Sequence, residues 1–311
     1  MDAKIIVITM GLNDIVKNLV EKTNVVGIIE CAPRKQKNRM LNKFIRETFA
    51  FSLKVKEKFS KNIFTLQKFS KKKGIPYFYM TKNSSDLENW IQSKNPDLII
   101  IYSMSMLLKK NIFEIPKYGT INLHPSLLPK YRGPNPIFWQ YYFFEKKGGI
   151  TLHYIDEGED TGDIIYQKSF DIYLGMGVEK FRRNVVEYGS KLILKAIENF
   201  DSLPRLKQPK ESPTPRARNI NSYEIWDLIS WNNWTIKRVF HLFKGIEGWL
   251  DIPYGNFYVL KPLIYERVPR SNLKTPGRLY KLDRDKFEVF AKDGRIILSK
   301  EFDFKRIIIK G

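Results

Sequence analysis

The chain has 311 residues, 43% of them hydrophobic and 14% aromatic, which excludes a disordered polymer and leaves room for a large core and two domains. Its formal net charge of +21 asks for an anionic partner or surface. A single cysteine, Cys31, and three histidines exclude an intrachain disulfide and argue against a zinc site.

The N-terminal run, Met1 to Ile8, lacks the basic head and long apolar stretch of a signal peptide, and no apolar run reaches the roughly 20 residues of a spanning helix. The expectation is a cytoplasmic protein without membrane insertion. Lys4 to Met10 reads as a strand, Gly11 to Asp14 as a turn, Ile15 to Lys22 as a helix and Val25 to Ile29 as a second strand. This is the opening of a doubly wound, Rossmann-like α/β domain. Only one glycine sits at the first turn, so a dinucleotide fingerprint is missing. Cys31 follows the second strand and reads as a small buried hydrophobe.

Between Arg34 and Lys73 the sequence carries 14 Lys and Arg against two Glu. A helical, solvated face is the first reading of this segment; attraction of phosphate or a membrane surface comes second, and nucleic acid third. Ile75 to Tyr79 is then a strand, and Ser84 caps a helix through Ile91. Asp97 to Tyr102 is a buried strand, Gly119 to Leu123 another. Asn135-Pro136 marks an N-cap and first helical turn for Ile137 to Phe144. Thr151 to Ile155 and Ile164 to Ile172 are strands, and Val178 to Phe200 is one long helix.

Residues 1–205 therefore read as one α/β domain. A proline-rich linker, Pro204 to Arg218, opens a smaller unit over 206–311. Tyr223 to Ser230 and Thr235 to Phe243 look helical. Phe257 to Leu260, Gly277 to Leu282, Lys286 to Ala291 and Ile296 to Leu298 look like strands, with Asp293-Gly294 as a hairpin turn. Strands this short and this closely spaced suggest a small, OB-like barrel or an open sheet.

Ile121-Asn122-Leu123-His124-Pro125 is the segment with the most chemistry. Asn122 and His124 lie two apart on an extended segment and share a face. Pro125 holds His124 in the extended region. Asp160 follows in Glu159-Asp160-Thr161-Gly162-Asp163. A carboxamide, an imidazole and a carboxylate suit acyl transfer to an amine. The amide donates to a developing oxyanion, the imidazole moves a proton, and the carboxylate orients the imidazole. With no obvious covalent nucleophile, direct transfer through a tetrahedral intermediate is expected. Spacing alone does not bring Asp160 to His124, and Asp160-Thr161-Gly162 also reads as a plain turn.

Ile121 to Pro129, Tyr131-Arg132-Gly133, Gly149 to His153 and Asp160-Thr161-Gly162-Asp163 together resemble the 10-formyltetrahydrofolate-dependent formyltransferases. That family includes methionyl-tRNA, glycinamide ribonucleotide and sugar-nucleotide enzymes. The resemblance implies that Asn122, His124 and Asp160 are catalytic and that 10-formyltetrahydrofolate is the formyl donor. It implies that a reduced folate contacts Ser103, Met104, Ser105, Met106 and Leu107 on one side and Glu157, Gly158 and Glu159 on the other. It places the acceptor's phosphate or sugar at Met10, Gly11 and Asn13. Lys130 and Arg132 are candidates for a diphosphate, with a solvated loop as the alternative. His153 and His241 read as structural.

The acceptor is less determined. Ile229 to Asn232 and Thr275 to Leu279 resemble methionyl-tRNA formyltransferase. Asn135-Pro136-Ile137-Phe138-Trp139 instead resembles the sugar-nucleotide enzymes. The expectation is a nucleotide-linked amino sugar, specifically a dTDP-4-amino-4,6-dideoxyglucose used for surface polysaccharide such as lipopolysaccharide O-antigen. Methionyl-tRNA is the alternative acceptor. A non-catalytic RNA- or membrane-binding protein on the same fold is the alternative of another class. A homodimer is among the assemblies open to it.

Overall fold

The computed structural model describes residues 3–32, 65–246, 251–252 and 255–302. The first sheet has seven strands: β1 (Ile5–Thr9), β2 (Val25–Cys31), β3 (Tyr77–Met80), β4 (Leu98–Ile101), β5 (Thr120–His124), β6 (Lys147–Tyr154) and β7 (Ile164–Asp171). Their order is β3-β2-β1-β4-β5-β6-β7. Strands β1 to β5 pair in parallel, and β6 runs antiparallel to both β5 and β7. Strands β1 and β4 are apolar on both faces and fully buried, as a parallel sheet covered on both sides requires.

Helices α1 (Asp14–Lys22), α2 (Leu66–Lys72), α3 (Ser85–Lys94), α4 (Lys110–Phe113), α5 (Pro136–Tyr142) and α6 (Val178–Glu198) belong to this unit. Asn13 caps α1 and Ser84 caps α3, each by accepting from a backbone N–H in the first turn. Two apolar clusters divide the core between the faces of the sheet. Ile5, Val7, Ile100, Ile121 and Leu123 join the cluster containing Phe181 and Ile193 of α6. Ile6, Ile8, Ile99 and Ile101 join the cluster with Leu87, Ile91 and Ile112. A side chain at Gly189 of α6 would run into Leu123. Glycine there lets the helix press β5 from behind, and alternation along the strand then turns Asn122 and His124 to the opposite face.

The second sheet is antiparallel, in the order β10-β11-β12-β9-β8: β8 (Asp251–Ile252), β9 (Gly255–Arg267), β10 (Leu279–Lys281), β11 (Lys286–Ala291) and β12 (Gly294–Phe302). It is ordered as an open sheet, one of the two expected forms. Strand β9 is much longer than the expected Phe257 to Leu260. Helices α7 (Ile225–Leu228) and α8 (Ile236–Gly245) precede it. Helix α8 packs on α5 of the first unit and on β9, burying Ile236, Val239, Leu242 and Phe243.

Of the expected basic helix, Leu66–Lys72 is helical and residues 33–64 lie outside the described residues. So do Trp249 and Tyr254 of the second unit. Cys31 is fully buried. Among the described residues no helix is long and apolar enough to cross a membrane.

The stretch read as a linker is not a free spacer. Leu206 exchanges backbone hydrogen bonds with Ile164. Ser212 Oγ donates to the Pro129 carbonyl, and Tyr131 N–H donates to Thr214 Oγ1. Ala217 N–H donates to the Arg132 carbonyl, and Asn135 N–H donates to the Ala217 carbonyl. Residues 206–218 form a strap across the loops of the first unit. Proline-rich composition marks a segment that is neither helix nor central strand, but it does not show where that segment lies.

Candidate active site

Strands β5 and β6 build the site between them. Asn122 stands directly across from His153, and His124 across from Thr151, so the four side chains form two cross-strand pairs. The loop after β6 folds back and brings Asp160 to the same place. Asp160 Oδ2 lies 3.6 Å from His124 Nδ1, and Oδ1 lies 3.7 Å from His153 Nε2. Asn122, His124 and Asp160, 38 residues apart from first to last, are brought together.

The protonation pattern follows from the acceptors. His153 Nδ1 is 2.7 Å from the Tyr154 carbonyl, which accepts only, so this nitrogen carries the proton. Burial pushes the ring down to about 4, outweighing the pull of Asp160. The ring is thus neutral near neutrality, and Nε2 accepts from Asn122 Nδ2 at 3.1 Å. That fixes which way the Asn122 carboxamide faces. His124 Nε2 is 3.0 Å from the Tyr131 carbonyl and carries a proton for the same reason. His124 Nδ1 is left facing the Asp160 carboxylate.

The loop from Pro125 to Gly133 is held from several sides. Thr151 Oγ1 donates to the Ser126 carbonyl at 2.7 Å and accepts from Leu128 N–H at 3.0 Å. Gln140 and Gln167 donate to the carbonyls of Pro125 and Leu128. Gly133 N–H donates to Asp160 Oδ2 at 2.8 Å, tying this loop to the acidic turn. Asp160 itself has φ of 56°, a left-handed conformation that Asp adopts more readily than most residues. A Cβ at Gly162 would collide with the Tyr154 carbonyl, so the turn needs glycine there. Beside it, Arg216 of the strap pairs with Glu159 through both nitrogens of its fork.

The other expected contact residues fall in three groups. The loop after β4 begins at Ser103, with φ of 63°. Met104 and Met106 are half-buried and Leu107 is 57% exposed. Ser105 is buried, and its hydroxyl donates to the Ala32 carbonyl at 2.6 Å, so this side chain faces the core. Glu157 and Gly158 are exposed and Glu159 half-buried. At the first turn, Met10 is exposed and Gly11 half-buried. The Asn13 side chain is engaged by Val16 N–H, Thr9 Oγ1 and the Gly11 carbonyl. Lys130 is exposed and pairs with Glu145 at 3.3 Å.

Two expectations are corrected. Arg132, a candidate for a diphosphate, turns inward. Its guanidinium donates to Gln208 Oε1 and to the carbonyls of Pro209 and Lys210, and the residue is 8% exposed. His153, read as structural, lies inside the site. A strand with His153 two residues after Thr151 was legible, but the register that sets it against Asn122 is not written in either strand alone. His241 does sit away from the site, its ring tilted against that of Tyr141 at 4.9 Å between the two units. Within the run Asn135 to Trp139, Phe138 and Trp139 are buried, and Trp139 Nε1 donates to the Arg218 carbonyl.

The formyl transferase family profile matches residues 3–197. A methionyl-tRNA formyltransferase of Clostridium acetobutylicum is 30% identical over 236 residues, covering 74% of each chain. Among solved structures, an N-formyltransferase from Helicobacter canadensis in complex with folinic acid and dTDP-3-aminofucose superposes with a TM-score of 0.62 at 18% identity, covering 97% of this chain and all of that one. WlaRD, a sugar 3N-formyl transferase crystallised with dTDP and 5-N-formyl-THF, has the same TM-score and identity and covers 96% of this chain and 98% of its own.

Proposed function

The chain belongs to the formyl transferase family, and from that premise we propose that Asn122, His124 and Asp160 carry formyl transfer from 10-formyltetrahydrofolate to an amine of a nucleotide-linked amino sugar. The observation that carries the chemical part is the convergence of these three side chains, with His124 Nδ1 facing Asp160.

The surroundings fit a flat, partly apolar folate ring. Leu107 in the loop after β4 and Met10 just after β1 are large apolar side chains left 57% and 39% exposed, and Met104 and Met106 of the Leu107 loop are half-buried. Ser103 to Leu107 and Glu157 to Glu159 would hold the ring. When bound, 10-formyltetrahydrofolate supplies an activated formyl carbonyl. Asn122 has one amide N–H fixed on His153 and the other available to an oxygen that gains charge. His124 takes up the amine's proton at Nδ1, since Nε2 is held by the Tyr131 carbonyl, and that proton would leave on the folate N10 as its bond to the formyl carbon breaks. Asp160 stabilises the ring once both nitrogens are protonated. Gly133 N–H keeps the carboxylate aimed.

For the acceptor, two supports favour a sugar nucleotide. The fold is shared end to end with sugar N-formyl transferases, and the sequence resembles those enzymes over Asn135 to Trp139. With Arg132 turned inward, the turn at Met10 and Gly11 and the exposed Lys130 are the expected places left for a phosphate or sugar. A dTDP-4-amino-4,6-dideoxyglucose is the specific proposal, with surface polysaccharide as its destination. Methionyl-tRNA is the second reading, favoured by the 30% identical methionyl-tRNA formyltransferase and by the net charge of +21. Incubation with 10-formyltetrahydrofolate and each acceptor separates them, with tetrahydrofolate release as the readout. Release with dTDP-amino sugars alone is expected; release with charged initiator tRNA alone would replace the sugar reading with the tRNA one.

A further inference from the structure

We propose that Gln208, in the strap between the two units, is a positioning residue for the Asp160 turn, and that Arg132 locks it in place. The proposal rests on the reading of Asn122, His124 and Asp160 as the reacting groups. Gln208 Nε2 donates to the Asp160 carbonyl at 3.1 Å and to the Gly162 carbonyl at 2.6 Å. These carbonyls flank the tightest part of the turn, where Asp160 is left-handed and Gly162 presses on the Tyr154 carbonyl. A conformation of this kind persists only where its surroundings hold it. The other end of the same amide, Oε1, accepts from Arg132 Nε at 3.2 Å and Nη2 at 2.9 Å.

Arg132 belongs to the loop that also presents the Tyr131 carbonyl to His124 and the Gly133 N–H to Asp160. One carboxamide therefore joins the loop that orients His124 to the turn that carries Asp160. Both its donor and its acceptor ends are used, and the orientation of the amide is set by which partner is which. The Arg132 guanidinium is engaged by Gln208 and by the strap carbonyls of Pro209 and Lys210, all of them neutral acceptors. That is the geometry of a lock on the strap and not of a cation facing solvent.

Two near-isosteric variants of the full chain separate positioning from plain anchoring. Gln208→Met removes both donated bonds and the acceptor without adding charge. Gln208→Glu keeps an acceptor for Arg132, as an ion pair, and removes only the donors to the Asp160 turn. Both are compared with the wild type by kcat and folate KM, using whichever acceptor supports turnover, and by the ring resonances of His124 in the histidine-labelled protein, which need no acceptor. Positioning predicts that kcat falls about tenfold or more while folate KM stays within about twofold. It also predicts that the His124 ring resonances move in both variants. If either folded variant keeps wild-type kcat and His124 resonances, and only its unfolding midpoint drops, Gln208 is an anchor and the proposal fails. If Gln208→Met does not fold, Gln208→Glu alone decides. Full activity of His124→Ala would instead overturn the underlying assignment of the reacting groups, a result distinct from either outcome for Gln208.

Discussion

Asn122 and His153 face each other across the β5–β6 pair, and the asparagine amide donates 3.1 Å to the histidine Nε2. The relationship depends on the histidine being neutral, and its burial keeps it so. A residue outside the proposed triad thus sets the orientation of one inside it. His153→Ala should lower kcat about tenfold to a hundredfold through misplacement of Asn122. His153→Gln, which can still accept from Asn122, should recover part of that loss. Equal rates for the two variants would show that the hydrogen bond does not orient Asn122.

The same ring makes a pH prediction with a definite sign. Its folded value is lowered from the ordinary 6.5 to about 4. A lowered value means that the unfolded chain binds the proton first as pH falls. Its contribution to stability is therefore fully present above about 6.5 and is lost between there and 4. His241 is lowered to about 4 as well, by burial and then by the nearby Lys146, and acts in the same window. Denaturant titration from pH 7.5 to 4 should show stability falling by a few kcal/mol, because each tenfold loss of proton affinity on folding corresponds to about 1.4 kcal/mol. His153→Gln should flatten part of that slope. Below about 4, protonated His153 turns Nε2 into a donor and releases Asn122, so activity should fall on the same acid limb.

Thr151 offers a test of the loop that carries the site. Its hydroxyl accepts from Leu128 N–H and donates to the Ser126 carbonyl, all buried. Thr151→Val keeps the shape and leaves both backbone groups without that partner. The expected cost is about 1–3 kcal/mol, measured by denaturant unfolding, with a reduced kcat because the loop also presents the Tyr131 carbonyl to His124. A loss below about 0.5 kcal/mol would mean that the loop is held by its other ties.

Much of this was legible in the chain itself. The buried run Leu98 to Ile101, the cap at Ser84, and the shared face of Asn122 and His124 all follow from local rules of period and capping. What was not legible is non-local. The register of β5 against β6 puts His153 beside Asn122, and no local pattern states a register. Arg132 looked like a cation for a ligand because a diphosphate attracts Arg and Lys side chains near the cleft. Its burial is decided by a strap that begins 74 residues later, at Leu206. Asn135 to Trp139 resembles the sugar-nucleotide enzymes, but the resemblance does not state that Phe138 and Trp139 are buried or that Trp139 Nε1 reaches the Arg218 carbonyl of the strap.

If His124 moves the proton in formyl transfer, in the field of Asp160 and beside Asn122, its removal must slow the chemical step itself. Single-turnover transfer by His124→Ala, with the fold verified by its unfolding midpoint, isolates that step. The expected rate is at least about 10³-fold below wild type at saturating 10-formyltetrahydrofolate, combining the general acid–base contribution with loss of the charge partner of Asp160. A folded His124→Ala protein with a rate within about tenfold of wild type would contradict the assignment of the proton to His124.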